Sequence, residues 1–221
     1  MKIISLFTLL FGFTVLATAQ ITDSKIVYEM KMSSDNPELE MQLAMMDGSS
    51  LEMIIYGDLT KQTVAIGGFM TTTTISDAKR GETLTLMDGM MGKIAMSIND
   101  EDKPKEEEGE SADIEIELVD ETKEILGYTC HKALIIDSDG NESIFWYSKE
   151  IQSPKTESQY FQSELPGLPL EFIIVSQDVT MQFIATEFSK KLKKEDKEIN
   201  LDIPEGYTEM SPEEMQNSFG Q

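Results

Sequence analysis

After the first twenty residues, apolar and polar positions alternate with a period of two over most of the chain. Ile26, Tyr28, Met30 and Met32 interleave with Val27, Glu29 and Lys31, the pattern of a strand with one buried face. The period then changes. Asn36 can cap, Pro37 suits a first helical position, and Leu39, Leu43 and Met46 share a helical face ahead of Gly48; together they predict a short helix. A strand reading competes, because Leu39, Met41, Leu43 and Met45 also alternate. The cap, Pro and Gly punctuation favours the helix.

Runs at Leu51 to Tyr56, Gln62 to Ile66 and Phe69 to Ile75 follow, split by Gly57-Asp58 and Gly67-Gly68. Lys79-Arg80-Gly81 turns the chain into Thr83 to Met87, and Lys93 to Ile98 is the next candidate. Short strands at this spacing predict an antiparallel meander. Alternation resumes with Ile114, Ile116 and Leu118 against Asp113, Glu115 and Glu117, a half-buried strand pattern. Tyr128 to Ile136 and Glu142 to Ser148 flank Asp137-Ser138-Asp139-Gly140-Asn141, a hairpin signal. Residues 157–164 read as a short helix, Pro166, Gly167 and Pro169 as a turn, and Leu170 to Val175 with Thr180 to Phe188 as a last hairpin. Ser211-Pro212-Glu213-Glu214 reads as the first turn of a terminal helix. No repeat of 20 to 50 residues interrupts this order.

Two segments break the pattern. The first holds Lys2, an apolar stretch from Ile3 to Leu16 and Ala17-Thr18-Ala19 before Gln20, the layout of a cleavable signal peptide over residues 1–19. As a membrane span it is short of the roughly 20 apolar residues a bilayer requires, and no Cys follows the cleavage site to carry a lipid anchor. No later stretch is long and apolar enough to span a membrane, and the expected location is periplasmic or secreted. The second segment, residues 99–112, has seven acids among its fourteen residues, with Pro104 and Gly109. It lacks the Gly and ligand register of a calcium loop and reads as a solvated connector within one β-rich domain, residues 20–221.

Charge and chemistry narrow the function. Eighteen Lys and Arg stand against 41 Asp and Glu, a net charge of -23 that becomes -24 when Lys2 leaves with the leader. Such a chain repels phosphate backbones, which excludes nucleic-acid binding. Cys130 and His131 are the only thiol and imidazole. As strand neighbours they point to opposite faces and cannot form a dyad, and neither has a second copy for metal binding. Cys130 is expected buried and His131 at the surface. The abundant carboxylates single out no catalytic pair, and no phosphate loop, G-x-S-x-G elbow or H-E-x-x-H motif occurs. The expectation is a non-enzyme without a cofactor. The one basic cluster, Lys190, Lys191, Lys193 and Lys194, is followed at once by acids and reads as a solvated hairpin tip.

Methionine is the compositional oddity: eleven of fifteen lie between Met30 and Met96. They could fill an ordinary core, line an adaptable apolar cavity, or hold Cu(I) at Met87-Asp88-Gly89-Met90-Met91, since soft ligands select that ion.

Several elements resemble an uncharacterised family of exported envelope proteins of the Bacteroidota. They are Glu124 to Ala133, Phe145-Trp146-Tyr147-Ser148, Leu165 to Phe172 and Ile203-Pro204-Glu205-Gly206-Tyr207; Leu165-Pro166-Gly167-Leu168-Pro169 also resembles the related GLPGLI group. The resemblance covers residues 121 to 210, and the first half only by strand layout. It implies a half-open antiparallel barrel similar to periplasmic lipoprotein carriers, with helices over its concave face, and it assigns no catalytic residues. The expected fold is therefore mainly β, a curved antiparallel sheet or half-open barrel with a few short helices. The leading expectation is binding of a lipid or other apolar ligand. Its candidate cavity lining is Met30, Met32, Met53, Met70, Leu84, Leu86, Phe145, Tyr147, Phe172 and Ile174, drawn from alternating strands. The alternatives are a structural or protein-interaction module of the envelope with a fully packed core and, third, Cu(I) binding.

Overall fold

The computed structural model describes residues 23–90, 92–99, 115–137, 140–151, 165–176 and 178–214. The leader at 1–19, the acidic connector beyond Asn99, the helix expected at 157–164, Met91 and Ile114 lie outside them.

Twelve strands among the described residues build one sheet. A first meander runs through β1 (Asp23–Ser33), β2 (Ser50–Tyr56), β3 (Leu59–Ile66), β4 (Met70–Asp77), β5 (Glu82–Gly89) and β6 (Gly92–Asn99). A second runs through β7 (Glu115–Ile125), β8 (Tyr128–Ile136), β9 (Glu142–Ser148), β10 (Leu168–Ser176) and β11 (Val179–Ser189), and the two-residue β12 (Thr208–Glu209) follows. The order across the sheet is β12-β6-β5-β4-β3-β2-β1-β11-β10-β9-β8-β7. The meanders join where β1 pairs antiparallel with β11, setting Tyr28 opposite Ala185 and Met30 opposite Phe183. Among the described residues no pairing links β7 to β6 or β12, so the sheet is open.

Between β1 and β2 the helical reading holds and the strand reading fails. α1 (Pro37–Leu43) starts at Asn36, whose Oδ1 accepts the Glu38 N–H at 3.0 Å, with Pro at the first position. A 3₁₀ turn, Ala44–Met46, ends it. Ser49 then locks the loop to its neighbour: its buried hydroxyl donates to the Met46 carbonyl at 2.6 Å and accepts from the Gly67 N–H at 3.1 Å. Gly67 is required twice over. Its φ of 49° is left-handed, and a Cβ there would meet Met46 Cα at 2.8 Å.

Hairpin pairing gives the sheet two unlike faces. Ile26 of β1 lies opposite Met53, Met53 opposite Gln62, Gln62 opposite Thr74, Thr74 opposite Thr85 and Thr85 opposite Met96. That row defines the inner face. Its neighbour, running Lys25, Ile54, Lys61, Ile75, Leu84 and Ser97, defines the outer face.

The principal core covers the inner face of β1, β2 and β8 to β11. Phe172 stacks between Phe145, at 5.4 Å between ring centres, and Phe183, at 4.4 Å, while Tyr28 meets it edge-on at 5.6 Å. The Tyr28 hydroxyl reaches from β1 past β11 to donate to the Pro169 carbonyl of β10 at 2.7 Å.

A second, smaller core lies on the outer face. Leu84, Leu86 and Ala95 are buried under Leu201, Ile203 and Tyr207 of the C-terminal segment. That segment leaves β11 and crosses the outer face. Asp196 meets Lys25 Nζ at 3.5 Å, Lys197 sits 5.5 Å over the Tyr56 ring, and the crossing ends where β12 pairs parallel with β6. The lysines at 190–194 are thus the start of this strap, not a hairpin tip, and their charged ends are exposed. Ser211 and Glu214 then form a capping box, Ser211 N–H to Glu214 Oε2 at 2.8 Å and Glu214 N–H to Ser211 Oγ at 3.2 Å.

One strand departs from its sequence pattern. Leu118 of β7, expected on a buried face, is 57% exposed. It lies opposite the buried Ala133 on the inner face, ahead of the bulge between Val119 and Thr122, but β7 is an edge strand with no further strand beside it among the described residues. Its exposed acids and bulge also blunt the open edge against pairing with other chains.

Candidate functional site

Strands β3 to β6 carry the inner face beyond the aromatic core, and there its character changes. Thr60, Gln62, Val64 and Ile66 on β3 sit beside Met70, Thr72, Thr74 and Ser76 on β4. Thr83, Thr85 and Met87 on β5 and Ile94, Met96 and Ile98 on β6 continue the rows. All are half-buried except the more exposed Met70. None carries a charge, in a chain where 27% of residues do. The outer face of the same four strands bears Lys61, Asp77, Glu82, Asp88 and Lys93. β-Branched hydroxyl residues explain both the strand and its half-burial: Thr favours the pleat but adds little bulk above it. Two hydroxyls bond each other across the rows, Ser76 and Thr83 at 3.2 Å. The result is a shallow surface of methyl groups, hydroxyls and thioethers, continuous at Val64 with the principal core.

The ten candidate lining residues do not share one environment. Met30, Met53, Phe145, Tyr147 and Phe172 are buried within the principal core. Met32 and Ile174 lie half-buried at its margin, each opposite Met181. Met70 stands at the β3–β4 turn, 41% exposed. Leu84 and Leu86 belong to the opposite face, under the C-terminal strap. Alternation alone cannot say which face a strand buries, and on β5 the small Thr residues take the inner positions. Sequence reading passed over Thr72, Thr74 and Thr85; the available signal was an uncharged Thr run, Met70-Thr71-Thr72-Thr73-Thr74.

The reactive groups stay apart from this surface. Cys130 is fully buried in the principal core, its thiol donates toward the Tyr128 carbonyl at 3.7 Å, and burial pushes its pKa up to about 11. His131 is half-buried with its ring 5.9 Å from that of Tyr147. Burial raises the Tyr28 and Tyr147 hydroxyls above the usual tyrosine range. On the outer face the hydrogen bond from Arg80 holds Asp77 below the ordinary carboxylate range, and the Glu52 carboxylate at 2.7 Å raises Lys25. Among the described residues no group of three or more His, Cys, Asp or Glu is placed to hold a metal ion, and no helix is long and apolar enough to cross a membrane. Of the methionines considered for Cu(I), Met87 lies on the uncharged face, Met90 is 88% exposed at a turn, and Met91 is outside the described residues.

The chain belongs to a family defined by a domain of unknown function (DUF4412), matched over residues 26–166. The match begins within β1, takes in the rest of the first meander and ends before β10 and β11, of which β11 is the strand that meets β1. No curated protein matches the chain. Among solved structures, one titled "Structure of PNGF-II in P21 space group" is similar at 16% identity and a TM-score of 0.45. The similarity covers 90% of this chain and 33% of that one, so the chain spans a third of that protein's length.

Proposed function

We propose that this chain is a non-enzymatic binding domain of the cell envelope that takes an apolar ligand, in the first instance a lipid acyl chain, on the inner face of β3 to β6. One observation carries the reading: that face is half-exposed and free of charge, while the strongly acidic remainder of the molecule is not. An acyl chain gains from methyl and thioether contact and forms no ion pairs, and Met side chains repack around irregular apolar shapes. The signal-peptide pattern at 1–19 supports an exported location. The open antiparallel sheet supports kinship with half-open lipoprotein carriers, at the level of fold analogy.

The test is native mass spectrometry of gently purified mature protein, followed by displacement of a fluorescent fatty acid. A co-purifying lipid is expected, with affinity at least ten-fold lower in Thr74→Glu and Met96→Glu at unchanged melting temperature. A protein that is lipid-free and binds no fatty-acid probe would sink the reading. A second reading, a structural or protein-interaction module with a packed core, draws on the closed aromatic stack of Phe145, Phe172 and Phe183. It expects that null result.

A further inference from the structure

Four of the exposed large apolar side chains gather at one end of the sheet, whereas Leu118 and Leu126 lie on β7 and its turn. Met41 is 74% exposed, Met45 64%, Met90 88% and Phe69 43%. In an antiparallel meander the β1–β2, β3–β4 and β5–β6 loops emerge on the same side, and these residues sit on those loops. The loops touch in sequence. The Gly67 Cβ position lies 2.9 Å from the Met45 carbonyl oxygen, and that of Gly89 lies 3.2 Å from the Phe69 carbonyl oxygen. Met41 and Met45 are four apart, on one side of the helical segment, while Leu43 between them is buried. The tips therefore form a row about 20 Å long, taking the usual strand spacing. These are exposed side chains at loop tips, in a molecule in which 27% of residues are charged.

From this row we infer a membrane-contact edge, in which the three loops dip into the interfacial region of a phospholipid bilayer. The contact is shallow, because no segment here can span. Protruding Met and Phe tips suit a soft, planar apolar layer, whereas a protein partner needs a matching groove for each tip. Charge selects the lipid. The loops contain Asp35, Glu38, Glu40 and Asp47 and no cation, and the neighbouring Lys93 is held by Asp88 at 2.6 Å. Anionic headgroups are repelled, so the surface recognised is zwitterionic. This inference does not require that the inner face binds lipid.

The experiment is flotation of the mature protein with phosphatidylcholine vesicles, using wild type and a Met41→Glu/Met45→Glu/Met90→Glu variant of matched melting temperature. Wild type should float with the vesicles, and the variant should lose at least ten-fold in partition. A Met90→Trp reporter in a Trp146→Phe background should shift to the blue on binding and be quenched by brominated acyl chains. Wild type that stays at the bottom of the gradient overturns the inference. So does a variant that floats equally, a reporter that stays unquenched, or a patch that instead controls self-association in sedimentation. Fatty-acid binding that survives the triple substitution leaves the inner-face reading standing while this one is judged separately.

Discussion

The inner face on β8 to β11 and the inner face on β3 to β6 are written in the same period-two pattern and end in opposite states. In the first, Phe145, Phe172 and Phe183 fill the space above the sheet and expose 2% or less. In the second, Thr72, Thr74 and Thr85 occupy equivalent positions and stay half-exposed. On β5 burial moves to Leu84 and Leu86 on the far side of the strand. Alternation marks a strand with two unlike faces; side-chain volume and the element lying above decide which face is dry.

The largest effect should separate these regions. Phe172→Ala removes the centre of the aromatic stack and is expected to cost about 3–5 kcal/mol, measured by urea unfolding of the mature protein. Thr74→Ala at the matching position of the open region should stay within about 0.5 kcal/mol. Equal costs would show that the two regions are packed alike. Next comes the outer core. Leu84→Ala should cost about 2–3 kcal/mol, the low side of the usual range because the C-terminal strap can settle into the gap. Faster amide exchange over residues 201–209 than in wild type is the accompanying signature.

Much of this was legible in the sequence. The strands, the Asn36-Pro37 helix start and the hairpin turns follow from local rules that act within a few residues. The pairing of β1 with β11 was not legible, because nothing local in Tyr28 or Ala185 specifies a partner so distant in the chain. The two-sided burial was missed for a related reason. Leu84 reads the same whether its cover is the inner core or Ile203 and Tyr207 from the far end of the chain. The exposed Leu118 escaped because an edge position leaves no mark on alternation.

Smaller effects sharpen the contrast between turns and faces. Leu126 holds φ at 51° in the two-residue β7–β8 turn, next to Gly127 at 78°. Such turns favour Asn-Gly, so Leu126→Asn should raise stability by about 0.5–1 kcal/mol, read as an upward shift in melting temperature. The smallest effects are pH-linked, and two of them lie on the outer face. Asp77 is held below its ordinary 3.8, so its contribution is present above that value and fades as pH falls through the folded pKa; Asp77→Asn should flatten the acid limb of a stability profile. Lys25 is raised above 10.5, so its contribution is complete below that value and is lost as pH climbs through the folded pKa. Lys25→Met should flatten the alkaline limb.

The strand order also fixes how the molecule can be assembled. β6 and β7 are consecutive in sequence, yet ten strand spacings separate them in the sheet. Residues 100–114, which lie outside the described residues, are the covalent tie between those two flanks of the sheet. Every other antiparallel contact is between sequence neighbours except β1 with β11, so folding divides into two fast local zippers and one slow closure. That closure is intramolecular only because the tie is intact. Cut it, and the two meanders become separate chains that must find each other through β1 and β11, turning a concentration-independent rate into a second-order one.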